Sequence, residues 1–390
     1  MTPISLDALI ENSQKFHPEN EIFDQRISAT KYLQFGMTSI PNPMISYEEM
    51  KSSGMNPMTE SIWEFRQKLS LPFKYSMINK IYSKDIESIK IEKDFFLKNR
   101  LANLKIEYFR WLSLHRKIAI KKEQETLLTQ LIAVQKTRYI SQKVTQVEVV
   151  ALQIERGLLI AELSSLEIAK SNQRSIIQLL TGPGLNLDQT EPKNLKLNLA
   201  EIKIWSVSDL ESQIEESNLE LNVKRKIVEK SEFSLSQKKE NWIPDLELML
   251  TKREDSIGNK KFGWQIGFEI PLWLGGEQRG NISQAKANSI EAKVQFDELK
   301  RKIFLDVQAK VFEQKQLRQQ LEIMENGLLQ WSRQNVLSAR TAYQTGKLEY
   351  SGFLALMQSS FQTLNAYEDL KVKALESQEQ LDLLLGSQTL

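Results

Sequence analysis

Hydrophobic and polar residues alternate along one stretch of the second half of the chain, and a helical pattern comes after it. The apolar positions of this stretch are Phe262, Trp264, Ile266, Phe268 and Ile270. A period of two over about nine residues predicts a strand with one apolar and one polar face, and this is also the length of a tilted membrane-spanning β-strand. After Pro271 and the Gly275-Gly276 pair the pattern becomes helical, and we expect a helix longer than those of most compact enzymes.

The same arrangement occurs twice along the chain. Pro43 precedes one pair of short alternating segments and Pro72 ends it, while Pro244 and Pro271 bound a second pair. A polar segment separates the two members of each pair and is expected to be a loop, at 49–60 and at 252–261. The alternation predicts four strands, at about 43–50, 62–72, 244–252 and 262–271.

Beyond each strand pair the chain has a helical pattern with a seam of apolar residues. A 4-3 spacing of apolar residues is typical of a coiled-coil seam. The seam residues are Leu97, Leu101, Leu104 and Tyr108 in the first copy and Leu317, Leu321, Met324, Leu328 and Trp331 in the second. Polar breaks at 141–146 and 345–351 predict a turn into another helix, and the two copies stay in register up to Gly182 and Gly386.

The duplication predicts the domain organisation. Residues 1–182 and 209–390 form two structural repeats, and 183–208 is the connector between them. Each repeat should contain a helix, a strand, a loop, a strand, a long helix, a turn and a further helix. The leading helices are expected at Leu9–Asn20 and Leu210–Val223.

Four strands are too few to close a membrane barrel, which needs at least about eight, and lipid tolerates no open sheet edge. If the strands cross a membrane, several chains must therefore contribute to one shared barrel. The residues expected to face lipid are Trp63, Phe65, Leu69, Leu71, Phe262, Trp264, Ile266, Phe268 and Ile270. The residues expected to face the lumen are Glu64, Arg66, Lys68, Ser70, Gln265 and Glu269.

Composition narrows the function classes. Lys and Arg number 52 against 50 Asp and Glu, so the net charge of +2 argues against a nucleic-acid-binding surface. The chain has no Cys, which excludes disulfides and thiolate metal sites, and its two His residues stand alone, so we expect no enzyme and no cofactor. The first residues lack the basic and apolar regions of a signal peptide, so either the protein is cytosolic or an export signal has been removed.

Several motifs occur together in one order: the two Pro-bounded strand pairs, the segment from Ile270 to Gly276, Tyr343-Gln344-Thr345-Gly346 at the helical turn, and the duplication itself. In these features the chain resembles the TolC-type outer membrane efflux protein family over nearly its whole length. The resemblance implies an α+β membrane protein, with a trimeric β-barrel of four strands per chain continued by a long α-helical coiled-coil tunnel. It also implies an outer-membrane location extending into the periplasm, docking to a periplasmic adaptor and an inner-membrane pump, and an equatorial position for 183–208 and the C-terminal end.

The resemblance also indicates gate residues at the periplasmic tip. Glu148 matches an acidic gate position of relatives and Tyr343 matches the tyrosine that binds it, so we expect a hydrogen bond between them. Gly346 is the turn glycine, whereas Gln142 replaces it in the first copy. Lys347 and Lys143 lie in the two turns and are expected at the exposed docking tip. Gly352 and Ala355 replace the second-copy acids, which argues against an acidic ring.

With what the resemblance implies, the preferred interpretation is a homotrimeric outer-membrane channel that docks to adaptor and pump and conducts passively. A structural coiled-coil scaffold without channel activity remains the alternative. Five of the ten Met residues lie between 37 and 58, namely Met37, Met44, Met50, Met55 and Met58. Thioether sulfur is a ligand for Cu(I), but packing by an adaptable side chain is the preferred interpretation.

Overall fold

A computed structural model of the chain describes residues 2–52, 59–187, 190–193, 210–268 and 276–386. The elements of the first half are β1 (Thr2–Ile4), α1 (Leu6–Phe16), α2 (Glu19–Thr38), β2 (Met44–Lys51), β3 (Thr59–Leu69), α3 (Pro72–Ile140), α4 (Gln146–Thr181) and β4 (Thr190–Pro192). Those of the second half are α5 (Leu210–Ser217), α6 (Leu219–Glu240), β5 (Leu246–Asp255), β6 (Lys260–Phe268), α7 (Gly276–Ile323), a π-helical turn (Met324–Leu328), α8 (Leu329–Gln344) and α9 (Tyr350–Leu385). None of the helices in these ranges combines the length and the apolar character that a membrane-spanning helix needs.

Each strand pair is preceded by two helices, where the sequence predicted one. In the first copy the break falls at His17, whose ψ of 127° is extended. This is the conformation favoured by a residue before proline, and Pro18 is the next residue. In the second copy only Asn218 separates α5 from α6, and its side-chain Nδ2 donates a hydrogen bond to the carbonyl of Leu384 at 2.7 Å. The prediction of a single helix was wrong, and the second break carries no proline signal.

The strands lie near their predicted positions, but their ends differ. β3 stops before its predicted end because α3 begins at Pro72, and proline is well suited to the first helical position. Much of the predicted loop 252–261 is strand, with only residues 256–259 between β5 and β6. The carboxylate of Asp255 closes this turn, since its Oδ1 accepts hydrogen bonds from the backbone N–H groups of Ile257 at 3.1 Å and Asn259 at 2.8 Å. The predicted strand residues 269–271 lie outside the described residues.

The chain divides into two compact units, and each contains segments of both repeats. We call Met1–Asn20, Phe95–Asn218 and Lys302–Leu390 the helical unit, and Glu21–Asp94 with Leu219–Arg301 the sheet unit. The repeat boundaries predicted from the sequence, which run in chain order, remain a prediction.

In the helical unit, α3 and α9 are joined by a series of ion pairs in which α3 supplies the cations and α9 the carboxylates. The pairs are Lys105–Glu379 at 3.4 Å, Arg110–Glu376 at 3.1 Å, Arg116–Glu368 at 3.3 Å, and Lys117–Asp369. Beside them, Leu104, Tyr108 and Trp111 are fully buried. The pairing runs antiparallel, and it links the two predicted repeats, since α3 falls in the first and α9 in the second.

The predicted seam of the first copy is half-buried at Leu97 and buried at its other three positions, whereas the seam of the second copy shifts. Leu101, Leu104 and Tyr108 are buried, as are Leu317 and Leu321. Trp331, however, is 63% exposed, while the next residue, Ser332, is buried. The π-helical turn Met324–Leu328 explains the shift, because a π turn adds one residue and rotates the helix beyond it. The assignment of Trp331 to the seam was therefore wrong.

In the sheet unit, four strands form one sheet in the order β2-β3-β5-β6, and all neighbouring strands are antiparallel. Helices α3 and α6 of this unit are tied by a closed set of ion pairs. Lys84 contacts Glu87 at 3.0 Å and Glu229 at 2.9 Å, and Lys226 contacts the same two carboxylates at 3.0 and 3.4 Å. The charges alternate around this ring, so each carboxylate is neutralised by two lysines.

Candidate functional site

The four-stranded sheet has two chemically distinct faces. The strand register aligns Ile45, Phe65, Leu250 and Trp264 in one row across all four strands. Side chains alternate between the two faces of a sheet. The register therefore also determines which residues form the neighbouring rows on the same face. The large apolar residues sharing this face are Ile45, Tyr47, Trp63, Phe65, Leu69, Leu246, Leu248, Leu250, Phe262, Trp264, Ile266 and Phe268. The opposite face carries mainly polar residues, namely Ser46, Glu48, Glu64, Arg66, Lys68, Glu247, Thr251, Arg253, Lys261 and Gln265.

The predicted barrel residues Trp63, Phe65, Trp264 and Phe268 thus share one face, while Ile270 and Glu269 lie outside the described residues. Much of this face is uncovered in the chain, since Trp264 is 73% and Phe268 59% exposed. Polar residues also occupy positions on this face: Gln67 and Lys252 lie among the apolar residues, and Glu49, Ser61, Glu254 and Lys260 form a row toward the hairpin connections. An uncovered apolar face of this size requires a partner or a membrane.

Both outer strands of the sheet have a neighbour on one side only among the described residues. β2 pairs with β3, and β6 pairs with β5. Unpaired backbone N–H and C=O groups along such edges are sites for pairing with another strand. The sheet therefore presents two complementary edges as well as an apolar face.

The two helical turns have matching geometry. Gln142 has a left-handed φ of 55°, and Gly346 has a φ of 75° at the corresponding position. The backbone N–H of Lys143 donates to the carbonyl of Arg138 at 2.9 Å, and that of Lys347 donates to the carbonyl of Ala342 at 2.8 Å. The left-handed residue closes each helix in the manner of a Schellman cap, for which glycine is favoured. Gln142 adopts the conformation without being glycine.

Tyr343 lies in the core beside these turns rather than at a gate contact. Its ring stacks on Phe353 with 4.8 Å between centroids, and only 4% of the residue is exposed. Its hydroxyl has no hydrogen-bond partner within the described part of the chain. Glu148 instead accepts a hydrogen bond from the Thr145 hydroxyl at 3.4 Å. The predicted Tyr343–Glu148 hydrogen bond is therefore not formed within one chain, although burial, and to a lesser extent the Glu148 charge, raises the pKa of Tyr343 to about 12.

Arg138 joins the two turns, and the sequence interpretation missed it. It lies in the last turn of α3, and its guanidinium donates to the carbonyl of Tyr343 at 3.5 Å and to that of Gln344. Both carbonyls lie at the end of α8, where C=O groups lack helical partners and attract cations. The sequence does show a basic residue in the last helical turn before Gln142. It does not show which carbonyls this residue binds, because they lie about 200 residues further along the chain.

Around the turns, both charged and apolar side chains are exposed. Lys143 and Lys347 are exposed, as predicted for the tip, whereas Glu148 is half-buried. Ile140 is 81% exposed and Val147 76% exposed. Two exposed apolar side chains thus accompany the lysine of the first turn.

Tyr343→Phe should stabilise the chain, by about 1 kcal/mol, because a buried hydroxyl without a partner carries an uncompensated desolvation cost. The measurement is the thermal unfolding midpoint in detergent, monitored by circular dichroism. Tyr350→Phe is the matched control, since Tyr350 is only half-buried and its ring lies 6.4 Å from that of Tyr343. A lower midpoint for Tyr343→Phe would show that the hydroxyl gains a partner in the assembled protein, as a gate role requires.

Three methionines of the methionine-rich stretch fall within the described part of the chain. Met37, Met44 and Met50 are all exposed, and Met55 and Met58 lie outside the described residues. Within the described ranges, no group of three or more His, Cys, Asp or Glu side chains is placed to hold a metal ion.

Comparisons with known proteins agree with this geometry. Residues 210–387 match the family model described as "Outer membrane efflux protein". The outer membrane protein VceC from Vibrio cholerae is 16% identical with a TM-score of 0.80, and the match covers 98% of this chain and 96% of VceC. The Campylobacter jejuni CmeC outer membrane channel is 14% identical with a TM-score of 0.83, covering 98% and 85%. The open state of the Neisseria gonorrhoeae MtrE outer membrane channel is 12% identical with a TM-score of 0.75, covering 98% and 91%. No curated protein sequence matches significantly.

The predicted resemblance to the TolC-type outer membrane efflux protein family is thereby confirmed. The family match falls on the second repeat, and the structural matches, at these low identities, establish the fold over nearly the whole chain. The matched family model describes outer membrane efflux proteins, and the matched solved structures are an outer membrane protein and outer membrane channels.

Proposed function

We propose that the chain is one protomer of a trimeric outer-membrane channel, the passive exit duct of a tripartite efflux or secretion system. The observation that carries this proposal is the isolated four-stranded sheet, with one uncovered apolar face, one polar face and two edges that are unpaired among the described residues. A channel wall needs each of these features.

The edges define how copies would assemble. In lipid, each unpaired backbone polar group costs several kcal/mol, so β2 of one copy would pair with β6 of the next. The alternation of strand directions makes this new pairing antiparallel, as in outer-membrane barrels. Three copies would close a barrel of about twelve strands (four per chain times three), which is within the range of such barrels.

The two faces would then have different environments. The apolar face would meet outer-membrane lipid, with Trp63, Phe65, Trp264 and Phe268 in contact with it. The polar face would line the lumen with charges of both signs, for example Glu64 and Arg66, which pair at 2.9 Å. A lumen of mixed charge favours passage of solutes without strong selection by sign.

The helical turns would form the periplasmic tip. Exposed Ile140 and Val147, with Lys143 and Lys347 nearby, offer apolar and basic contacts for a periplasmic adaptor protein. An inner-membrane pump would supply the energy, since conduction through the duct itself would be passive. Arg138 holds the two turns together, so it would help to keep the tip closed.

Disulfide crosslinking between the edges tests the proposal. The chain has no Cys, so Ser46→Cys on β2 can be combined with Gly263→Cys, Gln265→Cys or Gly267→Cys on β6, all on the polar face. We expect at least one pair to give covalent dimers and trimers on oxidation in membranes, with no larger species. Ser46→Cys with Thr251→Cys is the control, since β5 is an interior strand. Monomers alone with every β2–β6 pair would favour the coiled-coil scaffold instead, and species above trimer would exclude a closed threefold barrel.

A further inference from the structure

A lysine lies on the apolar face of the sheet. The register places Lys252 of β5 directly between Trp63 of β3 and Phe262 of β6. This row also contains Tyr47, whose ring centroid lies 4.9 Å from that of Trp63. One further row of this face, Glu49, Ser61, Glu254 and Lys260, lies between it and the two hairpin connections. Aromatic residues with a neighbouring lysine are typical of the level at which lipid headgroups meet the acyl chains.

The same part of the face forms a groove. Its volume is about 470 Å³, and its apolar lining comes from all four strands, with Lys252 also in its wall. The apolar lining residues are Ile45, Trp63, Phe65, Leu250, Phe262 and Trp264. A groove of this composition accepts a flexible hydrocarbon chain, because every methylene transferred from water to such a surface is stabilised.

Beside the groove, Glu49 pairs with Lys51 at 3.2 Å, and Glu64 of the groove lining pairs with Arg66 at 2.9 Å. The remaining charges, Lys252, Lys260 and Glu254, have one cation in excess. Lys252 Nζ lies 3.5 Å from Glu254 Oε2, and Lys260 Nζ lies 3.7 Å from Glu254 Oε1. Two lysines thus share one carboxylate, and both pairs are too long for strong hydrogen bonds. The side chain of Lys252 is 40% exposed and that of Lys260 54% exposed, so both can reach an anion outside the protein.

We propose that this groove binds an anionic membrane lipid, with an acyl chain against the apolar lining and the headgroup phosphate beside Lys252 and Lys260. The inference rests on the proposed function, in which the apolar face meets lipid. The bound lipid belongs to the leaflet on the side of the hairpin connections. The apolar groove favours a lipid over a free anion, because a free anion gains no stabilisation from the hydrocarbon lining.

Brominated lipids provide the test, since bromine on an acyl chain quenches tryptophan fluorescence on contact. The full-length channel is reconstituted in phosphatidylcholine vesicles containing a graded fraction of brominated phosphatidylglycerol, and separately with brominated phosphatidylcholine. We expect phosphatidylglycerol to bind near Trp63 and Trp264 about fivefold more tightly than phosphatidylcholine. This is the effect of one lysine near a lipid phosphate. Trp63→Phe with Trp264→Phe identifies the share of quenching that arises in the groove.

Lys252→Gln should abolish the headgroup preference and leave quenching by the two lipids equal. Lys261→Gln is the matched control, because Lys261 lies in the adjacent strand on the polar face, opposite Arg253. It should retain the preference. Three outcomes would overturn the proposal. The two lipids could quench the unmodified protein equally, the two variants could lose the headgroup preference equally, or millimolar inorganic phosphate could displace the anionic lipid. Absence of quenching by either lipid would instead contradict the membrane barrel itself, so the two failures are distinguishable.

Discussion

Ile266→Arg should prevent assembly of the channel in the membrane, whereas Gln265→Arg should be tolerated. Ile266 lies opposite Leu248 in a central row of the apolar face, between the rows of Trp264 and Phe268. An arginine facing lipid near the bilayer midplane costs about 2–4 kcal/mol, and the proposed trimer would contain three such arginines, at a total cost of about 6–12 kcal/mol. Gln265 is the adjacent residue and faces the polar side, where a further charge meets water.

The measurement is the fraction of protein found in the outer membrane as a heat-sensitive trimer on gel electrophoresis. Circular dichroism of the detergent-solubilised variants checks that both retain their helices. Because a slip of one residue in register would exchange the two faces, the paired variants test the face assignment directly. Similar assembly of both variants, or loss of assembly only with Gln265→Arg, would refute it.

Gly386→Ala should be the most damaging single-methyl change in the helical unit. Gly386 ends α9 with a left-handed φ of 65°, and an added Cβ would lie 2.1 Å from the carbonyl oxygen of Ser217. The left-handed conformation costs a non-glycine residue about 1–2 kcal/mol, and overpacking adds about 1–3 kcal/mol. The end of α9 also binds Asn218 at the end of α5, so the damage should extend from α9 to α5.

Gly346→Ala separates the two causes. Its φ of 75° is similar, but nothing lies within 4 Å of an added Cβ, so it should lose only the conformational part, about 1–2 kcal/mol. Thermal unfolding of the two variants, monitored by circular dichroism, gives the comparison. An equal fall in the midpoint for both would show that α9 shifts freely and that the contact with Ser217 does not matter.

Patterns over short distances made much of the architecture predictable. The period-two alternation from Phe262 and its counterpart near Trp63 identified strands, because a strand with one buried or lipid-facing side must alternate. The repeated motif around Tyr343 located the second helical turn, and the duplication then located the first at Gln142. These signals needed no knowledge of residues distant in sequence.

The features that escaped prediction depend on contacts between distant residues. Asn218 breaks the leading helix of the second repeat without a proline, and its hydrogen-bond partner is Leu384. No residue type or spacing in the sequence marks the π-helical turn that moves Trp331 out of the seam. Arg138 is an ordinary basic residue until the fold brings the carbonyls of the other repeat to it. Tyr343 is the opposite case. The family resemblance predicted a hydrogen bond from Tyr343 to Glu148, but in the fold the ring of Tyr343 packs against Phe353 instead.

Electron cryomicroscopy of the purified protein in lipid nanodiscs would show whether three chains form one barrel. We expect a threefold particle in which three copies of the sheet close one barrel of about twelve strands, with β2 of each copy paired to β6 of the next. Trp264 and Ile266 should face the nanodisc lipid, and Gln265 should face the lumen. A barrel closed by another number of copies, or a particle whose apolar sheet face is covered by protein outside the lipid, would contradict this expectation.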